Sequence, residues 1–128
     1  MDVDSLKFAR THEWVSVDGD VATVGISHFA VQALTDLVFV DLPAAGTNVT
    51  AAETCGEVES VKAVSDIYAP VSGEITESND GLADDLDALS EDPYGRGWMV
   101  RIRMSNPSEL DELFDRAAYD EHCQSDQH

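Results

Sequence analysis

The sequence predicts a mainly β protein: a small β-sandwich or flattened barrel with a short internal helix and a C-terminal helical segment. Two observations carry that expectation. Short runs of alternating apolar and polar residues recur along the chain, each closed by a Gly- or Pro-marked turn. Helical spacing with capping residues occurs at two places, after Ser27 and after Asn106.

Taken in order, Trp14–Val17 and Val21–Ile26 are β-prone runs joined by Asp18-Gly19-Asp20. Asp-Gly tolerates the positive φ of a tight hairpin turn. Ser27 then reads as the N-cap of a short helix, with Phe29, Ala30, Ala33 and Leu34 on one side. Leu37–Leu42 is almost wholly apolar and ends at Pro43, which predicts a strand buried on both faces. Glu57 and Glu59 alternate with Val58 ahead of Lys62. Beyond it Ile67, Ala69, Val71, Gly73 and Ile75 share one parity, so a hairpin is expected with Lys62 at or near its tip.

Glu77–Asp92 carries seven carboxylates in sixteen residues and is expected to be a solvated loop. It lacks the alternating ligand pattern of an EF-hand. A turn at Pro93–Gly97 leads to a last strand from Trp98, with Trp98, Val100, Ile102 and Met104 on its core face, Met99, Arg101 and Arg103 on the other, and the two arginines solvated or ion-paired. Asn106, Pro107 and Glu109 form an N-cap, first-turn proline and capping-box acid ahead of Leu110, Leu113 and Phe114, the stripe of a docking helix. Ala117, Ala118 and Tyr119 extend it or form a second short helix. The whole reads as one domain over 1–128: a β core over 6–104, a helical segment over 106–122 and a tail over 123–128.

Composition narrows the function classes. Five Arg and two Lys against 26 Asp and Glu give a net charge of −19. Such a field repels nucleic acid and anionic membranes, and it suits a protein adapted to a salty cytoplasm. No apolar run approaches the ~20 residues of a membrane span, and the first residues have neither the apolar core of a secretory signal nor the Arg-rich character of a transit peptide. A cytoplasmic protein is expected, and no nucleic acid or membrane among its partners. Cys55 and Cys123 lie far apart and form no zinc-ligand or redox spacing.

Enzymatic motifs are missing. There is no nucleophile elbow, P-loop or dinucleotide fingerprint, and His12-Glu13 fails as a zinc-protease start because position 16 is Ser16. The four histidines have no metal-ligand spacing, so neither a metal nor a catalytic residue is predicted. Lys62 stands out because only Lys7 shares its type. The acids near it in sequence favour its charged form, which makes it a poor Schiff-base nucleophile. From spacing alone it is either an ordinary solvated lysine or a lysine presented for covalent modification.

Glu59–Ile75, ESVKAVSDIYAPVSGEI, resembles the lipoyl-attachment segment of the glycine cleavage system H proteins. LKFARTHEWV, VGISHFAVQAL, DLVFVDLPAAG, DPYGRGWMVRI and PSELDELFDRAAY resemble the same family in order and spacing, so the resemblance covers nearly the whole chain. It implies a lipoyl-domain-like sandwich with lipoic acid amide-linked to Lys62 on a hairpin, and a non-catalytic, monomeric carrier. It also implies a cycle of partners. A lipoate ligase or lipoyltransferase attaches the cofactor. A pyridoxal-phosphate-dependent glycine decarboxylase loads an aminomethyl group, a tetrahydrofolate-dependent aminomethyltransferase removes it, and dihydrolipoyl dehydrogenase reoxidises the dithiol. Carried over by position, Glu13 and Asp66, with Thr11, Ala30 and Leu34, line the cleft that holds the loaded arm. Thr35 replaces the family's usual glycine and Ser90 its usual asparagine, which predicts a different turn and a reshaped acid-rich loop. The other readings are a lipoyl donor for further apoenzymes and an unmodified interaction module. The flanking Val61 and Ala63 differ from the methionines beside a biotinyl lysine, and Val61 from the aspartate usual in 2-oxoacid dehydrogenase lipoyl domains.

Overall fold

The computed structural model describes residues 6–9, 12–27, 30–31, 37–51, 53–61, 64–84, 86–92, 94–95, 97–115, 117–119 and 121. Nine strands are formed among them: β1 (Lys7–Phe8), β2 (Glu13–Asp18), β3 (Val21–Ile26), β4 (Leu37–Asp41), β5 (Asn48–Val49), β6 (Thr54–Ser60), β7 (Val64–Tyr68), β8 (Gly73–Ser78) and β9 (Val100–Met104). They build two antiparallel sheets, one in the order β1-β2-β3-β9-β8-β5 and one in the order β4-β6-β7. The expected mainly β sandwich is therefore present.

Alternation explains the core. Ala22, Val24 and Ile26 of β3, Val100 and Ile102 of β9 and Ile75 of β8 meet Val40, Val58 and Ile67 of the smaller sheet in one buried cluster. Each such side chain contributes roughly 1.5–3 kcal/mol when fully withdrawn from water. The β2–β3 hairpin closes through Gly19 at φ +67, the left-handed turn that Asp-Gly predicts. A second cluster of Leu6, Phe8, Trp14 and Tyr119, joined by Tyr94, Trp98 and Phe114, packs apart from the first. Val15 belongs to one cluster and Trp14 to the other, so β2 is covered on both faces where it begins. Gly25 lies directly opposite Trp14, where a Cβ would come within 2.7 Å of the indole.

Five expectations are corrected. The single strand read through Ile67–Ile75 is two strands in different sheets, broken at 69–72. Pro70 has no N–H to offer a ladder there. β4 is not buried on both faces: as an edge strand paired only with β6, it buries Val40 but leaves Val38 and Phe39 about half exposed. A register shift between Leu37 and Phe39 lets those two consecutive residues both face outward.

The acid-rich stretch is not merely a loop. It contains a 3-10 turn at Asp80–Asp84 and a helix at Asp87–Glu91, with Leu82, Ala88 and Leu89 in the main core. The last strand starts at Val100, and Met99, read as outward, is buried. Finally, the C-terminal stripe is not one helix. Pro107–Glu112 is a 3-10 helix that ends at an extended Leu113, and Phe114 forms a β-bridge with Phe8. Glu109 does not close a capping box on Asn106: its carboxylate accepts hydrogen bonds from the amide and hydroxyl of Ser72 at 2.8 and 2.9 Å.

The β6–β7 hairpin is an excursion from the larger sheet, joined in the smaller sheet by β4 from earlier in the chain. The chain leaves at Val49, forms β6 and β7, and returns at Gly73, and Val49 and Gly73 are direct partners. The amide of Ala51 donates to the Ser72 hydroxyl at 2.9 Å just above that closure.

Candidate functional site

The β6–β7 hairpin is paired from Thr54↔Tyr68 to Glu59↔Val64, with a shift between Thr54 and Gly56. Val61 and the two residues before Val64 connect its strands. Lys62 is one of those two and lies outside the described residues, as do Thr11 and Leu34. On either side, Val61 is 73% and Val64 59% exposed.

Pairing and alternation together define the faces of this sheet. Val40 and Val58 are partners on the buried face. On the outer face two rows run across the strands, Phe39–Glu59–Val64 nearer the tip and Asp41–Glu57–Asp66 below it. These four carboxylates form no ion pair among the described residues. The segment that presents Lys62 is therefore bordered by exposed apolar side chains and by like charges placed directly opposite one another.

Behind the hairpin lies Glu13, the first residue of β2, with its side chain buried. Its Oε2 accepts the amide hydrogen of Tyr68 at 3.0 Å, tying the larger sheet to the end of β7. Burial, aided by the charge of Glu13, pushes the thiol of Cys55 up to about 11. Cys55 is accordingly a neutral thiol at physiological pH rather than a nucleophile.

Glu13 pairs with Ile26, so the start of β2 lies beside the end of β3. There Ser27 caps the next turn as expected: its Oγ accepts from the Ala30 amide at 3.3 Å and its carbonyl from Val31 at 3.1 Å. His12, just before Glu13, holds a left-handed φ of 79°. Its carbonyl accepts the Ser27 amide at 2.8 Å. Its Nδ1 lies 2.7 Å from the Tyr119 hydroxyl, which also meets Ser27 Oγ.

Of the predicted site residues, the fold thus brings Glu13 and Ala30 to one end of the larger sheet. Asp66 stands apart on the exposed outer face of the smaller one. His12, Ser27, Cys55 and Tyr119 enter the site region without having been predicted there. Ser27 carried a signal as an N-cap and Tyr119 as an apolar helix position, but no spacing links them across 92 residues.

Comparison with known proteins identifies the family. A family model described as glycine cleavage H-protein matches residues 6–126. The chain is 55% identical to the glycine cleavage system H protein of Halorhodospira halophila, covering 92% of each chain. It is 53% identical to the probable glycine cleavage system H protein of Haloarcula marismortui, covering 91% of each. A crystal structure of a glycine cleavage system H protein from Mycobacterium marinum superposes with a TM-score of 0.83 at 41% identity, covering 93% of this chain and 95% of that one. With the match running through both sheets and the C-terminal turns alike, this chain belongs to the glycine cleavage H-protein family.

Proposed function

We propose that this chain is the lipoyl carrier of a glycine cleavage system, a non-catalytic cytoplasmic monomer built as one carrier domain over 1–128, with lipoic acid in amide linkage to Lys62 Nζ. It shuttles the aminomethyl group of glycine from the pyridoxal-phosphate-dependent decarboxylase to the tetrahydrofolate-dependent aminomethyltransferase, and electrons to dihydrolipoyl dehydrogenase. A lipoate ligase or lipoyltransferase attaches the cofactor.

The observation that carries this reading is the hairpin paired through Glu59↔Val64 around the family's attachment lysine. A short hairpin paired regularly from Gly56↔Ile67 to Glu59↔Val64 limits where a side chain at its connection starts, which suits a tether. The surroundings fit an acyl arm, since Val61, Val64 and Phe39 offer exposed apolar surface along which hydrocarbon can lie. When bound, the cofactor supplies a disulfide that becomes a thiol pair able to carry a one-carbon unit.

The chain's own residues hold and orient. Glu13, fixed through the Tyr68 amide, and Ala30, in the turn capped by Ser27, form the inner side of the arm cleft, to which family position also assigns Thr11 and Leu34. Asp66 adds negative charge near an aminomethyl load. Amide formation at Lys62 removes a positive charge from among Glu57, Glu59 and Asp66, leaving the carrier still more acidic. Tethering raises the effective concentration of the load at each partner.

Peptide mass spectrometry of protein purified from its own cells tests the assignment directly. A lipoyl adduct is expected on the peptide containing Lys62, and a bare lysine there would overturn it.

A further inference from the structure

The C-terminal turn reaches back to both chain segments that carry the predicted cleft residues Glu13 and Ala30. Tyr119 is buried, its ring stacked on Phe8 at 4.3 Å with 8° between the planes. That stack needs no hydroxyl. Yet the hydroxyl lies 2.7 Å from His12 Nδ1 and 2.5 Å from Ser27 Oγ, and Ser27 is wholly buried. A buried phenol is costly unless its hydroxyl is partnered, and here the partners come from two separate strand ends.

Each partner leads to one of those two residues. His12 precedes Glu13, whose carboxylate takes the amide of Tyr68 at the end of β7. Ser27 accepts the amide of Ala30 and so begins the turn to which Ala30 belongs. The Ala30 amide, Ser27 Oγ, Tyr119 hydroxyl and His12 Nδ1 form an unbroken hydrogen-bonded chain, its proton order following the His12 tautomer. The Tyr119 backbone is itself held in place. Its amide donates to the Asp115 carbonyl at 2.9 Å, and Asp115 Oδ1 accepts the Ala118 amide at 2.9 Å.

We propose that the Tyr119 hydroxyl is a positioning residue of the arm cleft. It fixes the Glu13 side against the Ala30 side, and with them the shape of the space that shelters the loaded arm; this rests on the carrier reading above. The C-terminal segment then does more than cover the aromatic cluster. It sets the spacing of two cleft walls that rise from the open end of one hairpin, β2–β3.

The test is Tyr119→Phe, which keeps the ring stack and removes the hydroxyl. In the unlipoylated chain, amide exchange followed by NMR is expected to quicken about ten-fold at Ala30, Val31 and Tyr68, the factor one hydrogen bond sets in a local opening equilibrium. Ile102, in the scaffold sheet, is expected to keep its rate. In the lipoylated chain, loaded through glycine and the decarboxylase and then separated from it, the one-carbon load is expected to fall away faster than in the unsubstituted protein. Its lifetime should approach that on a short lipoyl-lysine peptide.

Unchanged exchange, or exchange that rises equally at Ile102, overturns the positioning role. So does an unchanged lifetime in a protein that protects its load. An unsubstituted protein that protects the load no better than the peptide instead overturns the arm cleft itself. Ser27→Ala cuts the same link from the other end, and its exchange pattern decides the matter should Tyr119→Phe fail to fold.

Discussion

The outer faces of the two sheets treat charge in opposite ways. On the larger sheet, Arg103 meets its cross-strand partner Glu74 at 2.6 Å, and Arg101 meets Glu77 at 2.7 Å. Arg101 also lies 4.3 Å over the ring of Trp98. On the smaller sheet, Asp41, Glu57 and Asp66 stand side by side, and Phe39 and Val64 are left to water. A chain with only seven Lys and Arg has placed two of them where they complete the scaffold. The face of the smaller sheet beside the β6–β7 hairpin is left acidic and apolar. One face is finished within the fold, and the other is left exposed.

The sharpest way to break this contrast is Lys62→Arg. It is expected to abolish lipoyl incorporation and glycine-dependent carbon dioxide release while leaving the melting temperature in place. Arg103→Gln, on the finished face, should leave both activities intact. Retained carbon dioxide release in Lys62→Arg would sink the division of labour.

Next in size is the scaffold itself. Ile102→Ala, at a fully buried position between β3 and β8, should cost about 2–5 kcal/mol in urea denaturation. Val64→Ala, on the exposed row, should stay within about 0.5 kcal/mol. Similar losses at the two sites would erase the distinction between scaffold and presented surface.

Salt then separates the two faces. Moving from dilute buffer to molar KCl is expected to raise the melting temperature, because screening relieves the repulsion of a chain carrying −19. Glu57→Gln, in the middle of the acid row, should stabilise by about 0.2–1 kcal/mol at low salt and have no effect in molar KCl. Arg103→Gln should destabilise by about 0.2–1 kcal/mol at low salt, again only there. A melting temperature that falls with salt would count against both expectations.

The smallest effect concerns Cys55. Its thiol titrates near 11 when folded and near 9.0 when unfolded, so below 9.0 both forms are neutral. Across that window the unfolded chain ionises first, and stability should decline as pH rises from about 9 to about 11. Alkylation of the Cys55 peptide at pH 8.5 should be much slower in folded than in urea-unfolded protein. Equal rates would refute the shielding.

Much of this fold was readable because inward residues keep their parity. Val100, Ile102 and Met104 announced β9, and Asp18-Gly19 announced the first hairpin. The same regularity concealed the break at Pro70. Ile67, Ala69, Val71, Gly73 and Ile75 are all buried, because both sheets face one core and the inward parity survives the crossing between them. Leu37–Val40 misled for another reason: an apolar run cannot distinguish a doubly covered strand from an edge whose apolar side chains serve as surface. In the acid-rich stretch, the carboxylates drew attention from Leu82 and Leu89, which anchor it.

The family's cleft positions were legible by resemblance. The Tyr119 contacts were not, since they join residues 107 and 92 positions away.

The direct pairing of Val49 with Gly73 has a mechanical consequence. The chain enters and leaves the excursion over 50–72 through one doorway, so a pull along its strands loads the rungs between β5 and β8 as shear, together with the β4–β6 ladder. Because Val58 and Ile67 share one buried cluster with Val24 and Ile102, the lever tilts only by carrying its mount with it.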